Sequence, residues 1–398
     1  MAGLASALSL AGKVKSITIL ERSSAEKLQD RGQGIGMAPP LQQQLTQMGW
    51  LGESYNFIQT KHREWYVKDD AATSPLGRKV WTQSAGVQLH NWGVLWKELR
   101  KKVTTANYLT GKNVESVEFG SDGVHLRGSD NQDFGTFDFV IAADGASSVL
   151  RKIVLPDSSS NLAEYVLWRG SFPMDNAHAS KILDLDYCLR NQVWITAGYP
   201  GGHGIAYSMP ATESNDKYLI NWAYYSKMPP GIGAGSSTAV RNIPEEAMEF
   251  FQEHVVSYLP PWFADLTRIH SESISIHFIL DESPKTFCHP SSRLLLVGDA
   301  GAVLRPHTAS GTTKALQDAM ALGALAKADG ITWTEVSQQY EKERKVEAEN
   351  LVKMGRRFGD FQVVNAPDWA NMSESDFQDW AAAMVSGTSN YMWKKEKE

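Results

Sequence analysis

The chain has 398 residues, enough for two domains, and its 42% hydrophobic content is ordinary for a protein with a packed core. A formal net charge of −6 argues against binding to nucleic acid or to an anionic membrane surface. No apolar run is long enough to span a bilayer, and no signal peptide is visible. Two cysteines, Cys188 and Cys288, make neither a disulfide framework nor a metal site. We therefore expect an intracellular, cytoplasmic protein without a bound metal.

The N-terminal residues have the pattern of the second half of a dinucleotide-binding βαβ unit. Residues 3–11 predict a helix, and residues 16–20 predict a strand that leads to the acidic Glu21. Glu21 lies eighteen residues after Gly3, near the expected spacing of about 20. Only two residues precede Gly3, so it can only be the last glycine of a G-x-G-x-x-G turn. Either an upstream strand is missing from the sequence, which we favour, or the pyrophosphate-binding turn has been lost.

Two further segments of the first half suit close contact with a ligand. Residues 31–40 are rich in glycine and include Gly34; glycine lets a backbone approach a flat ring closely. The alternative is a plain loop before a helix at residues 41–48. Residues 139–143 predict a buried strand that ends in Asp144 and Gly145, although Asp-Gly is also common in simple turns. Between these segments, residues 88–99 predict an amphipathic helix, and residues 114–127 predict a hairpin.

Residues 160–282 are rich in aromatic residues that alternate as in strands, which predicts a second domain on an antiparallel sheet. A helix is expected over residues 245–259, begun by Pro244 and ended by Pro260 and Pro261. Residues 273–279 are expected to lead back to the first domain. A capping box at Thr332 begins a long charged helix to about residue 357. The tryptophans at 369, 380 and 393 are expected to cover the body of the protein or to form a homodimer contact.

A strand, turn and helix near the C-terminal third predict a site for a polyol and a phosphate. Residues 294–297 predict a buried strand that Gly298 ends, and Asp299 follows on a tight turn. A second turn at Pro306 leads to Gly311, where a helical pattern begins. A carboxylate accepts hydrogen bonds from hydroxyl groups, and the free N–H groups of a helix start suit an anion. The alternative is an ordinary strand–turn–helix crossover without a ligand.

These motifs, in this order, resemble the FAD-dependent aromatic hydroxylases, the class A flavoprotein monooxygenases. Glu21, Asp144 and Asp299 are three acids that follow three predicted strands, an arrangement unlikely by chance. The sequence around Trp168-Arg169-Gly170 and residues 221–225 is similar to the 2,6-dihydroxypyridine hydroxylase-like subgroup. Trp92 stands where many family members have an FAD-contacting arginine, and we expect it only to pack.

The resemblance implies an α/β fold: a three-layer (ββα) FAD-binding fold, N-terminally incomplete, with a second α+β substrate domain on an antiparallel sheet. Residues 1–158 and 283–330 are then the FAD-binding domain, residues 159–282 the substrate domain, and residues 331–398 a C-terminal helical segment. FAD is implied as the cofactor, with NADPH or NADH as a transient co-substrate. The expected cofactor-binding residues are Gly3, Glu21, Arg22, Gly34, Asp144, Gly145, Gly298, Asp299, Pro306 and Gly311.

The implied reaction is hydroxylation of an electron-rich aromatic or heteroaromatic small molecule by O2 through a C4a-hydroperoxyflavin. A ring hydroxyl reacts better as its anion, so we expect a general base with a pKa near the working pH. His203 and Tyr207 are four residues apart on a predicted strand and therefore share a face. We predict His203 as base or substrate binder, Tyr207 as orienting group and His307 as a third polar contact.

Arg169 is expected to bind a carboxylate or oxyanion of the substrate. For His203 the alternative is a hairpin turn, and for Arg169 it is an ion pair with a structural acid. The incomplete N-terminal motif also leaves open a descendant of the fold without redox activity. Such a protein would be a cyclase, isomerase or binding module with weak or no flavin.

Overall fold

The computed structural model describes residues 1–24, 33–84, 86–129, 132–176, 183–212, 216–233, 238–269, 274–327 and 330–387. The predictions for residues 31 and 32 and for Trp393 lie outside this part of the chain. The strands are β1 (Thr18–Glu21), β2 (Gly34–Met37), β3 (Ile58–Gln59), β4 (His62–Val67), β5 (Arg78–Ser84), β6 (Gln88–Asn91), β7 (Asn107–Thr110), β8 (Val114–Phe119), β9 (Val124–Gly128), β10 (Asp133–Phe137), β11 (Val140–Ala142), β12 (Asn161–Pro173), β13 (Val193–Tyr199), β14 (Gly202–Pro210), β15 (Tyr218–Lys227), β16 (Ala239–Val240), β17 (Ser275–Asp281) and β18 (Leu294–Leu296).

Together with these strands, the helices give the chain the mixed α/β character that the sequence predicts. The α-helices are α1 (Ala2–Leu10), α2 (Pro39–Gln47), α3 (Trp92–Lys102), α4 (Val149–Val154), α5 (Tyr187–Asn191), α6 (Glu245–His254), α7 (Pro261–Arg268), α8 (Gly311–Leu325), α9 (Trp333–Gly359) and α10 (Glu374–Val385). Short 3-10 turns cover Val256–Tyr258, Gly298–Ala300 and Pro306–Thr308, and a π-helical turn, Asp360–Val364, follows α9. None of the helices in the described ranges is long and apolar enough to cross a membrane.

An eight-stranded sheet in the order β16-β17-β12-β15-β14-β13-β4-β5 is the largest element. Its central strands β12, β15, β14 and β13 pair antiparallel, as the aromatic alternation predicts, whereas β13 and β4 run parallel. One face packs on α6 and α7 through large buried side chains such as Trp168, Trp222 and Phe251. The opposite face, which we call the inner face, carries the residues predicted for chemistry.

Two parts of the chain join this sheet contrary to expectation. Strands β4 and β5 come from residues 1–158, which were assigned to the FAD-binding domain alone, yet they form one end of the eight-stranded sheet. Strand β17 was expected to lead back to the first domain, but it pairs with β12 and β16. Periodicity identifies a strand but does not identify its partner, so neither pairing was visible in the sequence.

Two short parallel pairs, β1–β7 and β11–β18, form the core beside α1 and α8. Ala142 pairs with Leu296 at the carboxyl ends of β11 and β18. Because parallel strands end at one edge, the turns that follow, at Asp144 and at Gly298, lie side by side. Helix α1 lies directly on α8: a side chain at Gly323 would lie 2.6 Å from the Ser9 Cβ atom.

The prediction of a helix over residues 88–99 was wrong for its first turn. Residues Gln88–Asn91 form strand β6, which pairs with β2 and β3, and α3 begins at Trp92. The Asn91 side chain explains the boundary, because it accepts a hydrogen bond from the Gly93 N–H at 2.8 Å and caps the helix. Trp92 packs against the core cluster that contains Leu95, as expected.

The helix predicted over residues 245–259 is shorter, and α6 ends at His254. Pro260 and Pro261 do not merely end a helix: they are the N-cap and first residue of α7. Proline fits there because the first turn of a helix leaves its N–H groups unpaired. The capping box at Thr332 is confirmed, and the tail covers the body as expected, since the Trp369 ring packs on Gly198.

Candidate functional site

The turn after β18 is built around Gly298, which has a φ of +59°. A Cβ atom at this position would lie 2.8 Å from the Ala2 side chain, so only glycine fits between the turn and the start of α1. The Gly298 N–H donates to Asp318 Oδ2 at 2.9 Å, and its carbonyl accepts from Lys314 Nζ at 3.0 Å. The backbone of this turn is therefore fixed by charged side chains of α8.

Those side chains form a buried ionic network that the sequence analysis missed. Lys314 Nζ lies 2.6 Å from Asp318 Oδ2, and both side chains are fully buried. Arg344 of α9 donates to the other carboxylate oxygen of Asp318 at 2.8 Å. A signal was present, because Lys314 and Asp318 are four residues apart on the apolar helix that begins at Gly311.

Arg151 connects the turn at Gly298 to the turn at Asp144 by hydrogen bonds. Its guanidinium donates to the carbonyls of Asp299 at 2.8 Å and Ala300 at 3.2 Å, and also to the carbonyl of Ala146. Its Nε atom lies 3.1 Å from Glu282 Oε2, and both side chains are buried. The two predicted cofactor-binding turns are thus one connected unit.

Asp299 is exposed to solvent and follows Gly298, which lies against the start of α1; we call the surface formed by this turn and the first turn of α1 the crevice. The protein that surrounds this crevice raises the pKa of the carboxyl group, while the charges of Lys314, the amino terminus and Arg151 act in the opposite direction. The first turn of α1 has no side-chain cap, and it contains Gly3, which lies against Ala143. The crevice therefore combines an acceptor, Asp299, with the N–H groups of a helix start.

The other predicted cofactor-binding residues of the first half lie at the ends of β1 and β11. The Asp144 carboxylate accepts from the Ser148 hydroxyl at 2.6 Å and the Leu150 N–H at 3.2 Å, so it organises the start of α4. Gly145 has a φ of +82° and open space where a side chain would lie. Glu21 accepts from the Ser23 N–H at 2.7 Å at the end of β1, and Arg22 beside it is exposed.

Strand β2 lies against the inner face of the large sheet, through the contacts of Gly34 with Tyr207 and Asn221. Its Gly36 lies near Ala309, where a Cβ atom would be 3.6 Å from the alanine Cβ atom. Gly34 lies against Tyr207 so closely that a Cβ atom would be 2.1 Å from the phenol oxygen. The turn at Pro306 is exposed, and Gly311 faces open space at the start of α8. Gly34 and Gly36 thus lie where another part of the chain approaches the backbone closely, whereas Gly311 does not.

His203 and Tyr207 both lie on β14 with their side chains on the inner face, so their predicted common face is present. His203 is 3% exposed and stacks on Tyr225 at 4.9 Å between ring centroids. His307 stacks on the same Tyr225 ring at 4.2 Å, and the two imidazole centroids are 5.9 Å apart. The structure therefore brings the two histidines together, and the hairpin turn is at Gly201 rather than at His203.

A chain of polar groups extends from these histidines to the surface. His307 Nδ1 lies 3.2 Å from Gln362 Oε1, and Nε2 lies 3.0 Å from the Tyr165 hydroxyl. Arg305 donates to that hydroxyl at 3.1 Å and to the Asp281 carboxylate at 2.7 Å. Tyr165, Arg305 and Gln362 were not predicted, because they are far apart in the chain and give no local pattern.

Burial makes both imidazoles poor bases. It lowers the pKa of His203 well below the ordinary 6.5 and lowers that of His307 to about 3. The positive charge of Arg63 acts in the same direction on both rings. Both histidines are therefore neutral near pH 7, which differs from the expected base with a pKa near the working pH. A neutral imidazole is suited to accept or donate one hydrogen bond at each nitrogen.

Arg169 lies on β12 opposite Ala223 of β15, and its side chain is partly exposed. Across the described ranges it forms no ion pair, so the alternative role as partner of a structural acid finds no support there. Its positive charge acts on Tyr207, whose pKa burial raises to about 12. Arg169 therefore belongs to the same inner face as the predicted catalytic residues.

No protein-family model matches the chain. Among curated proteins, 2,6-dihydroxypyridine 3-monooxygenase of Paenarthrobacter nicotinovorans is 27% identical over 338 residues, which cover 82% of this chain and 80% of that protein. Phenazine 1,6-dicarboxylic acid hydroxylase PhzS of Lysobacter antibioticus is 25% identical over 390 residues, covering 89% of this chain and 86% of the relative. A third relative, an FAD-dependent urate hydroxylase of Klebsiella oxytoca, is 27% identical over 260 residues, which cover 62% of this chain and 58% of that protein. These relatives confirm the resemblance inferred from the motifs and support an oxidoreductase.

Solved structures give the same result for the fold. The 2,6-dihydroxypyridine-3-hydroxylase from Arthrobacter nicotinovorans superposes with a TM-score of 0.77 at 23% identity, covering 93% of this chain and 92% of the other. Klebsiella pneumoniae HpxO, solved with FAD and uric acid, gives a TM-score of 0.71 at 19% identity, covering 97% and 90%. The predicted α/β fold class is therefore confirmed.

Proposed function

We propose that the chain is an FAD-dependent monooxygenase that uses NADPH or NADH and O2 to hydroxylate a small, electron-rich aromatic or heteroaromatic molecule. The observation that carries this proposal is the crevice at Gly298 and Asp299. It joins an exposed carboxylate to an uncapped helix start, and it lies one short strand, β2, away from an inner face rich in aromatic and polar groups. The relatives that share most of the chain's length are hydroxylases of small aromatic rings.

The residues of the crevice fit a flavin dinucleotide. Asp299 would accept hydrogen bonds from the ribityl hydroxyls, and the first N–H groups of α1 would face the pyrophosphate. Gly36 lies close to Ala309, and Gly311 faces open space. The isoalloxazine ring would lie between these two stretches of backbone. When bound, FAD would supply the activation of O2, which no side chain provides.

The inner face would bind the substrate against this cofactor. Tyr207, Arg169 and His307 project from three different elements, which lets them contact different edges of one ring. His307 is held by Gln362 and Tyr165, so its ring is fixed before the substrate binds. In this proposal the domain bounds stand as predicted, except that β4 and β5 complete the substrate sheet.

The test is an absorbance spectrum of the purified protein, followed by titration with FAD. An assay then measures NAD(P)H oxidation and product formation together. We expect bound flavin and NAD(P)H oxidation that a suitable hydroxylated aromatic accelerates. Gly298→Val is the matched variant, because a side chain there would clash with Ala2, and it should abolish flavin retention. A wild-type protein that binds no FAD at micromolar concentration would favour the descendant of the fold without redox activity.

A further inference from the structure

Gln362, in the π-helical turn after α9, contacts both histidines of the inner face. Its side-chain Oε1 atom lies 3.2 Å from His307 Nδ1, and its backbone carbonyl oxygen lies 3.4 Å from His203 Nδ1. Gln362 is 3% exposed, and it follows His307 by 55 residues. A single buried residue outside the large sheet therefore reaches both imidazoles.

The π-helical turn leaves the backbone carbonyl of Gln362 available to a side chain. The Asn365 N–H donates to the Asp360 carbonyl at 2.8 Å, five residues back, and the helical turn ends there. The residue five positions after Gln362 is Pro367, which has no N–H to donate. The last carbonyls of a helix lack partners within the helix, so this carbonyl can accept from His203. π-helical turns are rare and occur frequently at functional sites.

The groups next to Gln362 and His307 determine the direction of each hydrogen bond. Gln362 Nε2 donates to the Met384 thioether sulfur at 3.2 Å, which only accepts, so the amide turns its oxygen towards His307. An amide oxygen also only accepts, and His307 Nδ1 must therefore carry the proton. On the other side, Arg305 only donates, so the Tyr165 hydroxyl accepts from it at 3.1 Å and has its own proton left for His307 Nε2 at 3.0 Å. Both sides independently give His307 the neutral form with the proton on Nδ1.

His203 receives the same tautomer from the Gln362 carbonyl. A carbonyl oxygen only accepts, so His203 Nδ1 donates and Nε2 keeps its lone pair. Within the described ranges His203 Nε2 has no hydrogen-bond partner, whereas both nitrogens of His307 have one. Burial lowers the pKa of both imidazoles most, and their hydrogen bonds to Gln362 act in the opposite direction. An acceptor beside an Nδ1–H group has this effect, because it binds the imidazolium more strongly than the neutral ring.

We propose that Gln362 is a positioning residue that holds His203 and His307 with their protons on Nδ1, so that only His203 keeps an open acceptor nitrogen, Nε2, for a ligand on the inner face. His307, with both nitrogens bound, orients Tyr165 and the stacked Tyr225 ring instead. The inference rests on the proposed function only where it identifies this ligand as the substrate.

The test is nitrogen-15 NMR of the full-length protein labelled at histidine, with and without FAD, because protonated and unprotonated ring nitrogens have well-separated shifts. His203→Asn and His307→Asn assign the signals. Free histidine prefers the proton on Nε2, but we expect both rings to carry it on Nδ1 from pH 8 to pH 6. A proton on Nε2 of either ring overturns the inference. The measurement needs no turnover, so absent flavin binding would overturn the proposed function and leave this result standing.

Variants of Gln362 then separate its side chain from its carbonyl. Gln362→Glu should raise the pKa of His307, which is about 3 in the wild type, by about 1 to 3, because a negative charge beside Nδ1–H stabilises the imidazolium. Gln362→Leu should give His307 a mixture of tautomers and leave His203 unchanged, since the carbonyl remains. Gln378→Glu, at an exposed glutamine of α10, has the same change of charge and should affect neither ring. An unchanged pKa of His307 in Gln362→Glu would overturn the role of the side chain.

Phenol at millimolar concentration probes the open nitrogen in the FAD-loaded protein. Its hydroxyl should shift the His203 Nε2 signal and leave both nitrogens of His307 where they were, because those are already bound by Gln362 and Tyr165. A shift at His307 Nε2, or no shift at His203, would overturn the assignment of His203 Nε2 as the open acceptor. Thermal unfolding of each variant confirms that the fold is intact.

Discussion

The ammonium nitrogen of Lys314 lies 2.6 Å from the carboxylate of Asp318, and neither side chain is exposed to solvent. The same two residues bind the backbone of Gly298 from both sides, through its N–H and its carbonyl. Arg344 supplies a second cation to Asp318 and also pairs with the partly exposed Glu347, so the network has two positive and two negative charges. The geometry of the candidate flavin turn therefore depends on the single carboxylate at its centre.

We expect Asp318→Asn to destabilise the fold more than Lys314→Met. Removing the carboxylate leaves the buried ammonium group of Lys314 without its ion-pair partner, which typically costs about 3–5 kcal/mol, whereas Arg344 keeps its pair with Glu347. Removing Lys314 preserves the pair of Asp318 with Arg344 and leaves mainly the Gly298 carbonyl without its donor, at about 1–3 kcal/mol. Urea unfolding of both variants measures the difference, with the exposed Lys342→Met as control. The reverse order would mean that Lys314, rather than Asp318, organises the network.

The second prediction concerns the exposed carboxylate of Asp299. Asp299→Ala should weaken FAD binding by about 1.5–3 kcal/mol, because it removes a charged acceptor for the ribityl hydroxyls. The fold should remain stable, since Arg151 and Lys314 bind backbone carbonyls of the turn and not the Asp299 side chain. Fluorescence titration with FAD and thermal unfolding without FAD separate the two effects. Flavin affinity equal to that of the wild type would remove Asp299 from the site.

The sequence predicted the turns of the site better than the sheet that faces them. Gly298, Asp299 and Gly311 were found because a strand, a tight turn and a helix start follow one another within twenty residues. Local patterns of this kind depend on neighbouring residues, and the strand, the turn and the helix start lie where they were predicted.

Contacts between distant residues were not predictable in the same way. Arg151 meets Asp299, and His307 meets Tyr165, across about 140 residues, and no spacing rule links such pairs. The pairing of β4 with β13 was not predictable for the same reason, because β13 lies more than a hundred residues later. Burial of His203 also followed from the packing of α9 and its π-helical turn against the sheet, so its low pKa could not be anticipated.

Buried neutral histidines predict the direction in which stability changes with pH. His90 and His307 have pKa values lowered to about 3, and that of His277 is lowered to about 4, in each case first by burial. The unfolded chain binds protons at these residues below the ordinary pKa of about 6.5, whereas the folded chain does not. Their stabilising contribution is therefore present above pH 6.5 and is lost as the pH falls from about 6.5 to about 4.

Within that pH range, each such histidine lowers the free energy of unfolding by up to about 1.4 kcal/mol for each unit by which the pH falls. We expect the free energy of unfolding, measured by urea titration at pH 7.5, 6.0 and 5.0, to fall steadily. His90→Asn should reduce the slope of the free energy of unfolding against pH by about the contribution of one histidine. Substitution of the exposed His254 by asparagine should leave this slope unchanged. A stability that is independent of pH over this range would contradict the buried, neutral state of these rings.

The last prediction concerns His203, which lies beside His307 and is surrounded by aromatic rings. Its imidazole stacks on Tyr225 and lies 6.2 Å from the Trp65 ring, and Nδ1 is 3.4 Å from the Gln362 carbonyl. If His203 binds or deprotonates the substrate hydroxyl, His203→Asn should slow product formation, and loss of a general base costs a factor of about 10²–10⁴. FAD affinity should not change, because no FAD contact is assigned to His203.

NAD(P)H consumption should then continue, with hydrogen peroxide formed in place of product. Because the pKa of His203 is lowered well below 6.5, its protonation should not reduce the wild-type rate between pH 8 and pH 6.5. The measurement is the ratio of product formed to NAD(P)H consumed across this range, for the wild type, His203→Asn and the control His254→Asn. A variant that keeps both the wild-type ratio and the wild-type rate would show that His203 only packs.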